Sequence, residues 1–581
     1  MPIRIGGMAS GLDIDSIVSD LMRVERMRVD KVEQNKTLVE WTRDSYIEVN
    51  KMFADFVLST REALGLTSTA SGSIQNKSVS SLSWVKKAYI ADSRIADVST
   101  RANAVNGTYN IKVHRLAENF SAASAENISG SNDKSNLLAQ FGLSESDAID
   151  LTLTARFENG QEQKARIYID SSEAYISITD AKGVEKKVVL EGKSLSNTSL
   201  KELADQINKA KIGVTAIYDE AVDRFFLQTN ETGEKNTLLV DDHSSIHDGS
   251  GELTDANFID KLKLKYDADG SKHSFLAGVE YGGKDALIDF GAATGITKSS
   301  NQFTVNNMNF SLKAVGETVV RVETDEDAII AKIKEFVNKY NELVDKISKV
   351  TSQNRYKDYA PLTKEQKEAM SEKEIELWEQ KAKSGLLRND DIITGIMQRA
   401  RTGLYENVLG VEGLFDHITE IGIETETYVS GSMGGKLRIN EDKLRQAIRD
   451  DVNGVLELLF KEAPAGITDD NEKRRQTGLV GRLYSDMVAG MKQVIAKAGP
   501  GDDRQLFRNI DTTMLLDFVT QQSGISLLDK SILDYEKSIY KLQARLIEKE
   551  NSYWKQFTAM EKALDKMYSQ SLWLAQQLGM K

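Results

Sequence analysis

The sequence predicts an α+β multidomain chain: helical segments at both ends, a helical-bundle domain, and a β-rich, two-lobed part inserted between them. Three observations lead there. At 581 residues the chain is too long for one core and divides into three or four units. Its residue texture switches from helical spacing to strand alternation near residue 79, then back at Thr324. From Ile525 onward it carries a sustained heptad seam.

The first element is a helix. Ile14, Ile17, Leu21 and Val24 are spaced three, four and three apart, which places them on one face. Asp13 is its expected N-cap, and Asp15 sits in the first turn, where the helix dipole favours a carboxylate. A second helical stretch runs through Leu38, Trp41, Val49, Phe53 and Phe56 and stops near Gly65. There "GLTSTASGSIQ" reads as a flexible joint.

Residues 79 to 323 read as short strands. "GTYNIKVHRLA" puts Tyr109, Ile111 and Val113 on one side of an extended segment. "LTLTARF", "KARIYID" and "AYISITD" repeat the period of two with turn residues between them. "VTAIYDEAVDRFFLQT" reads as a hairpin, and "FTVNNMNFSL" as another that turns at Asn306-Asn307. One helix interrupts, opened by the capping box Ser199-x-x-Glu202.

Helical spacing returns with Thr324-x-x-Asp327 as a cap, followed by Ile330, Ile333, Val337, Tyr340, Val344 and Ile347. Thr363-x-x-Gln366 and Ser371-x-x-Glu374 each open a helix. "TETYVSGSMGGKLRIN" reads as a small strand pair before an acidic-capped helix from Asp442. In the tail, Ile525, Leu528, Ile532, Tyr535, Ile539, Leu542 and Leu546 form the seam, which falters at Lys549. It resumes at Tyr553 and shifts to Phe557, Met560, Leu564, Met567, Leu574 and Leu578; the four-residue step after Tyr553 is a stutter. Such a helix cannot bury its seam alone and needs a partner helix.

Composition narrows the function classes. The 75 basic against 88 acidic residues give −13, which argues against nucleic-acid or anionic-membrane binding. With no cysteine there are no disulfides, thiolate metal sites or cysteine nucleophiles. The N-terminus lacks an apolar h-region, because Arg4, Asp13, Asp15 and Asp20 interrupt it, and no run reaches the roughly 20 apolar residues of a membrane span. The chain is therefore expected to be cytosolic, or to leave the cell without a cleaved signal.

Apparent chemical motifs fail on inspection. "SGSMGGKL" has Ser430 where a phosphate loop needs glycine, and Leu437 where it needs Ser or Thr. His243 and His247 are four apart among Asp241, Asp242 and Asp248, but the stretch is turn-like and reads as a solvated loop. "DADGSKHS" begins like a calcium loop and lacks its closing glutamate. No GxSxG or HExxH occurs. Lys537, Lys541, Arg545 and Lys549 read as a solvated helix face. "GGMASG" fits no dinucleotide loop and reads as an arm before the first helix. The expectation is a protein without catalytic residues, cofactor or metal.

Four stretches, one at each end and two between them, together resemble one family. "IGGMASGLDIDSIVSDLMRVERMRVDKVEQNKTLVEWTRDSYIEVN" is similar to the amino-terminal signature of the flagellar filament cap proteins, also called hook-associated protein 2. "YWKQFTAMEKALDKMYSQSLWLAQQLG" is similar to their carboxy-terminal signature. "DAIIAKIKEFVNKYNELVDKI" and "LTKEQKEAMSEKEIELWEQKAKSGLLRND" look like the helical part of the same family. In 117 to 300 the similarity is architectural only.

The resemblance implies export through the flagellar type III channel and a place outside the cell, at the distal tip of the filament. It implies a ring-shaped homo-oligomer, a pentamer, that guides flagellin into the lattice, with the hook–filament junction proteins and an export chaperone as further partners. The chain ends would pair as coiled-coil legs below an outward head. On that pattern residues 1–40 are the amino-terminal leg, 41–70 a joining helix and 71–323 the head, with a variable lobe at about 121–275. Residues 324–480 are then the helical bundle and 481–581 the carboxy-terminal leg. The leg interface would comprise Leu12, Ile14, Ile17, Leu21 and Val24 with Ile539, Leu542, Leu546, Tyr553, Phe557, Met560, Leu564, Met567, Leu574 and Leu578. An extracellular adhesin or glycan-binding head is the alternative of another class, and a secreted hydrolase with its site in the head is a third.

Overall fold

The computed structural model describes residues 11–70, 73–130, 132–247, 252–254, 256–268, 270–427, 434–511 and 514–577. The chain divides into two compact units, Met1–Leu82 with Glu326–Lys581, and Ser83–Asp325. The amino-terminal arm "GGMASG" lies outside the described residues up to position 10.

The first unit is helical. No glycine or proline interrupts residues 14 to 63, so the two stretches read separately at 1–40 and 41–70 are one helix, Ile14–Ala63. Asp13 caps it as expected, accepting from the Ser16 N–H at 3.0 Å. The segment expected to be a flexible joint is an antiparallel ribbon instead, with Thr67 opposite Asn76 and Ala70 opposite Ser73. Its β-branched and hydroxyl residues favour that extended pairing. The β-rich part therefore starts at Ser83, where the sequence placed it at 71.

Further along, three capping boxes form where the spacing put them, at Ser199, Thr363 and Ser371. Two expected caps do not. Thr324 ends the Gly316–Thr324 strand, and its hydroxyl accepts from Lys86 Nζ at 2.9 Å and Asn106 Nδ2 at 3.2 Å. The helix after it starts at Glu326. The helix expected from Asp442 starts at Glu441, capped by Asn440, which accepts from the Lys443 N–H at 3.1 Å. The strand pair before it is Ile423–Thr425 with Leu437–Ile439, and Ser430 lies outside the described residues. The stretch assigned to the carboxy-terminal leg from 481 first supplies three shorter helices, Leu479–Ala498, Arg504–Ile510 and Met514–Gln522. The seam-bearing helix is Leu527–Gln577.

The helical core gathers Val49, Phe53, Phe56 and Val57 of the first helix with Ile333, Val337 and Tyr340 of the Glu326–Ser352 helix. Phe56 is its aromatic centre: its ring lies 6.3 Å from Phe336 and Tyr340 and 6.4 Å from Tyr484. Beside this core lies a buried polar hub. Arg482, fully buried on the Leu479–Ala498 helix, donates to six backbone carbonyls: Arg474, Gly403, Glu406, Asn407, Arg475 and Thr477, at 2.8 to 3.3 Å. These carbonyls gather at the ends of the Asp391–Tyr405 and Asp470–Gln476 helices; Arg474 also accepts from the Thr477 N–H at 3.2 Å and Arg475 from the Leu409 N–H at 2.9 Å. One turn along, Asp486 accepts from Arg399 and Arg474 at 2.8 Å.

Two glycines let the helices come this close. A Cβ on Gly403 would lie 2.6 Å from Arg474 Nη2 and 2.7 Å from Asp486 Oδ2. One on Gly490 would lie 2.4 Å from Ile396 Cγ1.

The second unit is β-rich. A five-stranded and a three-stranded sheet enclose a core of Ile111, Val113, Ile288, Phe310, Val320 and Val322. As the alternation predicts, Ile111 and Val113 of the Gly107–Arg115 strand are buried while their neighbours Lys112 and His114 are exposed. A six-stranded and another five-stranded sheet, with the Leu200–Ala210 helix, enclose a separate core that includes Leu151, Leu153, Ile167, Leu203, Phe225 and Leu238. Residues 120 to 281 supply this second core. Both expected hairpins form; Asn306 and Asn307 have φ of 50° and 60°, the left-handed pair of a type I′ turn. The unit begins and ends on neighbouring strands: Lys86 pairs with Thr324, and the Asp325 N–H donates to the Val85 carbonyl at 3.0 Å.

Among the described residues no helix is long and apolar enough to cross a membrane, and no group of three His, Asp or Glu is placed to hold a metal. His247 is held instead by Asp147, whose Oδ1 is 2.8 Å from both the ring Nδ1 and the backbone N–H.

Arg482→Met keeps the side chain's bulk and removes the guanidinium donors from six carbonyls, of which Arg474 and Arg475 retain a backbone donor. Urea denaturation of the full chain should show a loss of about 3 kcal/mol or more from the helical unit. An unchanged midpoint would show that the hub is not a stabilising element.

Candidate functional site

The two longest helices, Ile14–Ala63 and Leu527–Gln577, lie antiparallel along one another. Three charged pairs trace the register. Lys549 donates to Glu25, Lys36 Nζ sits 2.8 Å from Glu536, and Arg43 Nη1 sits 3.2 Å from Asp529. Between the last two pairs, seven residues forward on the first helix match seven back on the last. Asp529 is placed by the helix start itself: its N–H donates to Ser526 Oγ at 3.1 Å, and the Ser526 hydroxyl donates back at 2.7 Å.

Exposed ion pairs of this kind contribute about 0 to 1 kcal/mol each, so they set register more than strength. Strength comes from the apolar seam. At the far end Ile14, Val18 and Met22 are buried, packed on Leu546, Tyr553, Trp554 and Phe557. Each fully buried side chain of this size contributes about 1.5 to 3 kcal/mol.

The structure sorts the candidate residues into three sets. On the last helix Ile539, Leu542, Leu546, Tyr553, Phe557, Met560 and Leu564 are half-buried, and Ile532 further back on the same seam is buried. Leu533, Tyr540 and Ile547, one residue on from seam positions, are exposed. Met567 and Leu574 are exposed, and Leu578 lies outside the described residues. On the first helix only Ile14 of the expected face is buried. Ile17 is half-buried, while Leu12, Leu21 and Val24 are exposed at 48%, 37% and 65%.

The line that meets the last helix is Ile14, Val18 and Met22, with Val29 buried farther along. Sequence reasoning missed Val18 and Met22 because Ile17-Val18 and Leu21-Met22 are adjacent apolar pairs. Either member completes a helical stripe from Ile14, and periodicity cannot choose between them. The consequence is an open apolar line, Ile17, Leu21 and Val24, flanked by Asp13 and Asp20.

A third element braces the pair. The segment between the Glu326–Ser352 and Asp391–Tyr405 helices reaches the first helix at four points. Gln34 Nε2 donates to the Pro361 carbonyl at 2.8 Å, Lys383 Nζ lies 4.8 Å over the Trp41 ring, Arg26 lies 3.9 Å from Glu365, and the Tyr46 hydroxyl donates to Asp390. Burial and the Asp390 carboxylate push the Tyr46 hydroxyl's pKa well up, so it remains a donor. Asp390 also caps the Asp391–Tyr405 helix, accepting from Ile393 N–H at 3.0 Å.

A seam left open on one flank, with a fixed register and a braced base, is an arrangement that can hold helices of other subunits. A model of the flagellar hook-associated protein 2 N-terminus matches residues 10–119, and one of its C-terminus matches residues 283–569. Flagellar hook-associated protein 2 of Halalkalibacterium halodurans is 32% identical over 98% of both chains. That of Thermotoga maritima is 23% identical over 99% of this chain and 96% of its own. Among solved structures, the flagellar cap protein FliD D1-D2-D3 domains from Escherichia coli align over 78% of this chain and 95% of theirs, with 18% identity and a TM-score of 0.46. These matches give no support to an adhesin or glycan-binding head. With a relative at 32% identity along nearly its whole length, this chain belongs to the flagellar hook-associated protein 2 family.

Proposed function

We propose that this chain caps the distal end of the flagellar filament, outside the cell, and promotes flagellin addition through its paired terminal helices. The observation that carries the reading is the open apolar line on an otherwise paired helix. Ile17, Leu21 and Val24 are left for a neighbour while Ile14, Val18 and Met22 hold the two chain ends together. The chain works as a homo-oligomeric ring, a pentamer, and by contact in place of catalysis. The paired helices are legs that reach toward flagellin, and the β-rich unit of Ser83–Asp325 is the head. The hook–filament junction proteins and an export chaperone complete the expected partners.

A pair held by seam and clasps, in place of a helix ordered only on arrival, changes how the legs act. Pre-pairing removes part of the ordering cost that a free helix bears on binding. Export through a narrow channel still requires unpairing, and a seam of half-buried residues makes that cheaper than a closed core.

Removing residues 553–581 takes away Tyr553, Trp554 and Phe557, the platform for Ile14, Val18 and Met22. Filament growth in cells lacking their own copy should be lost while the β-rich unit keeps its melting transition; normal filaments would overturn the leg reading. Leu21→Glu with Val24→Glu changes exposed residues only. It should leave far-ultraviolet circular dichroism and melting unchanged and reduce motility at least about tenfold, since each buried apolar anchor contributes on the order of 1.4 kcal/mol or more. Wild-type motility would show that this line faces no partner.

The hydrogen bond from Lys549 holds the Glu25 carboxyl below its ordinary value. Its contribution is therefore present above the usual carboxylate pKa of about 4.3 and is lost as pH falls through the lower folded value. Amide exchange of residues 14–29, corrected for intrinsic rate, should hold steady from about pH 7 to 5 and quicken below about 4. Glu25→Gln should flatten that response, and an identical response in the variant would remove Glu25 from the register.

A further inference from the structure

At the opposite end of the first helix, about 50 Å from Val24 at 1.5 Å per residue, the helical unit contains a groove of about 710 Å³. Its floor is apolar: Val57, Leu66, Val480, Tyr484, Val488 and Ile510. Its rim is basic, carrying Arg61, Lys77, Lys461, Lys473 and Lys492 against two carboxylates, Glu462 and Asp511. Counting Glu457 and Asp517, which pair with Lys461 and Lys492, five cations face four carboxylates, a local excess of +1 in a chain whose net charge is −13.

The rim charges are not all spent inside the fold. Lys492 is held by Asp511 at 3.2 Å and Asp517 at 2.9 Å, and Lys461 lies 3.4 Å from Glu457. Arg61, by contrast, donates to the neutral Asn76 amide, so its charge is not neutralised there. Lys77 and Lys473 are exposed with their charge in solvent. The Tyr484 hydroxyl turns inward to donate to Thr60 Oγ1 at 2.8 Å, which leaves the ring's apolar body to the groove.

We infer that this groove docks an acidic amphipathic helix of a partner protein. Apolar side chains fill the floor, and carboxylates along both margins meet Arg61, Lys77 and Lys473. An apolar floor of this volume takes about two turns of side chains from such a helix, and the low-dielectric walls focus the rim's positive field on its acidic face. Nucleic acid would place phosphate and sugar against valines and a tyrosine body, which the floor does not suit. The site is separate from the Ile17–Leu21–Val24 line and does not rest on the capping reading.

The test uses the full chain and three labelled synthetic helices of about 14 residues, roughly 21 Å long. One has leucine on one face and glutamate on the other, one replaces glutamate by lysine, and one replaces leucine by serine. Fluorescence anisotropy should show binding of the leucine–glutamate helix alone, weakening several-fold between about 0.05 and 0.5 M salt. Lys77→Glu with Lys473→Glu should weaken it at least about tenfold. Equal binding of the lysine helix, equal binding of the serine helix, no binding at all, or indifference to the double variant overturns the proposal. Sedimentation velocity supplies the remaining arm. If the double variant alters the oligomeric state, a second copy of this chain occupies the groove and the partner helix does not.

Discussion

A helix of 50 residues, such as Ile14–Ala63, is about 75 Å long and does not stand alone in water. Its need for company along its whole length is the constraint on which the helical unit depends. Toward its carboxyl end the company is the bundle, where Phe53, Phe56 and Val57 are submerged among aromatic rings. Over its first turns, at Ile14, Val18 and Met22, the company is a single helix from the other chain terminus, which covers one side. The same element passes from core member to half of an exposed pair, without a break in its hydrogen-bond ladder. What changes along it is the amount of apolar surface its partners can hide.

The bundle end has to be firm, because a long lever transmits any play at its base. Arg482 supplies much of that firmness by an unusual route. A guanidinium has five N–H donors in a rigid fork, and here they are shared among six carbonyls where two helices end. Burial and nearby Arg474 lower its pKa, while Glu406 and Asp486 keep the charge compensated. Gly403 and Gly490 remove the side chains that would hold the crossing helices apart. The bracing segment then ties the first helix sideways through Gln34, Trp41 and Tyr46.

How much of this is legible in the sequence depends on the range of the interaction. Local rules carry well: the Asp13 cap, the three capping boxes and the Asn306-Asn307 turn are set by residues within four of one another. The seam of the last helix is legible because its heptad spacing is sustained from Ile532 to Leu546 and resumes from Tyr553 to Leu564 after the break at Lys549. The partner stripe on the first helix is not, since Ile17-Val18 and Leu21-Met22 offer two equivalent lines and only the position of the last helix decides. Thr324 illustrates the same limit. Its spacing to Asp327 fits a cap, but Lys86 and Asn106, distant in sequence, claim the hydroxyl. The Arg482 hub leaves no local pattern at all, because its six acceptors are backbone groups that any residue types would present.

The way the β-rich unit joins the chain has a consequence of its own. Its first and last strands lie side by side, with Lys86 opposite Thr324, so its entry and exit are about one strand spacing apart, roughly 4.8 Å. Two ends that close together present the rest of the chain with the same boundary as a short hairpin, whatever is built beyond them. A change of length beyond those two strands therefore leaves the boundary with the helical unit unaltered, and the helices need not move to accommodate it.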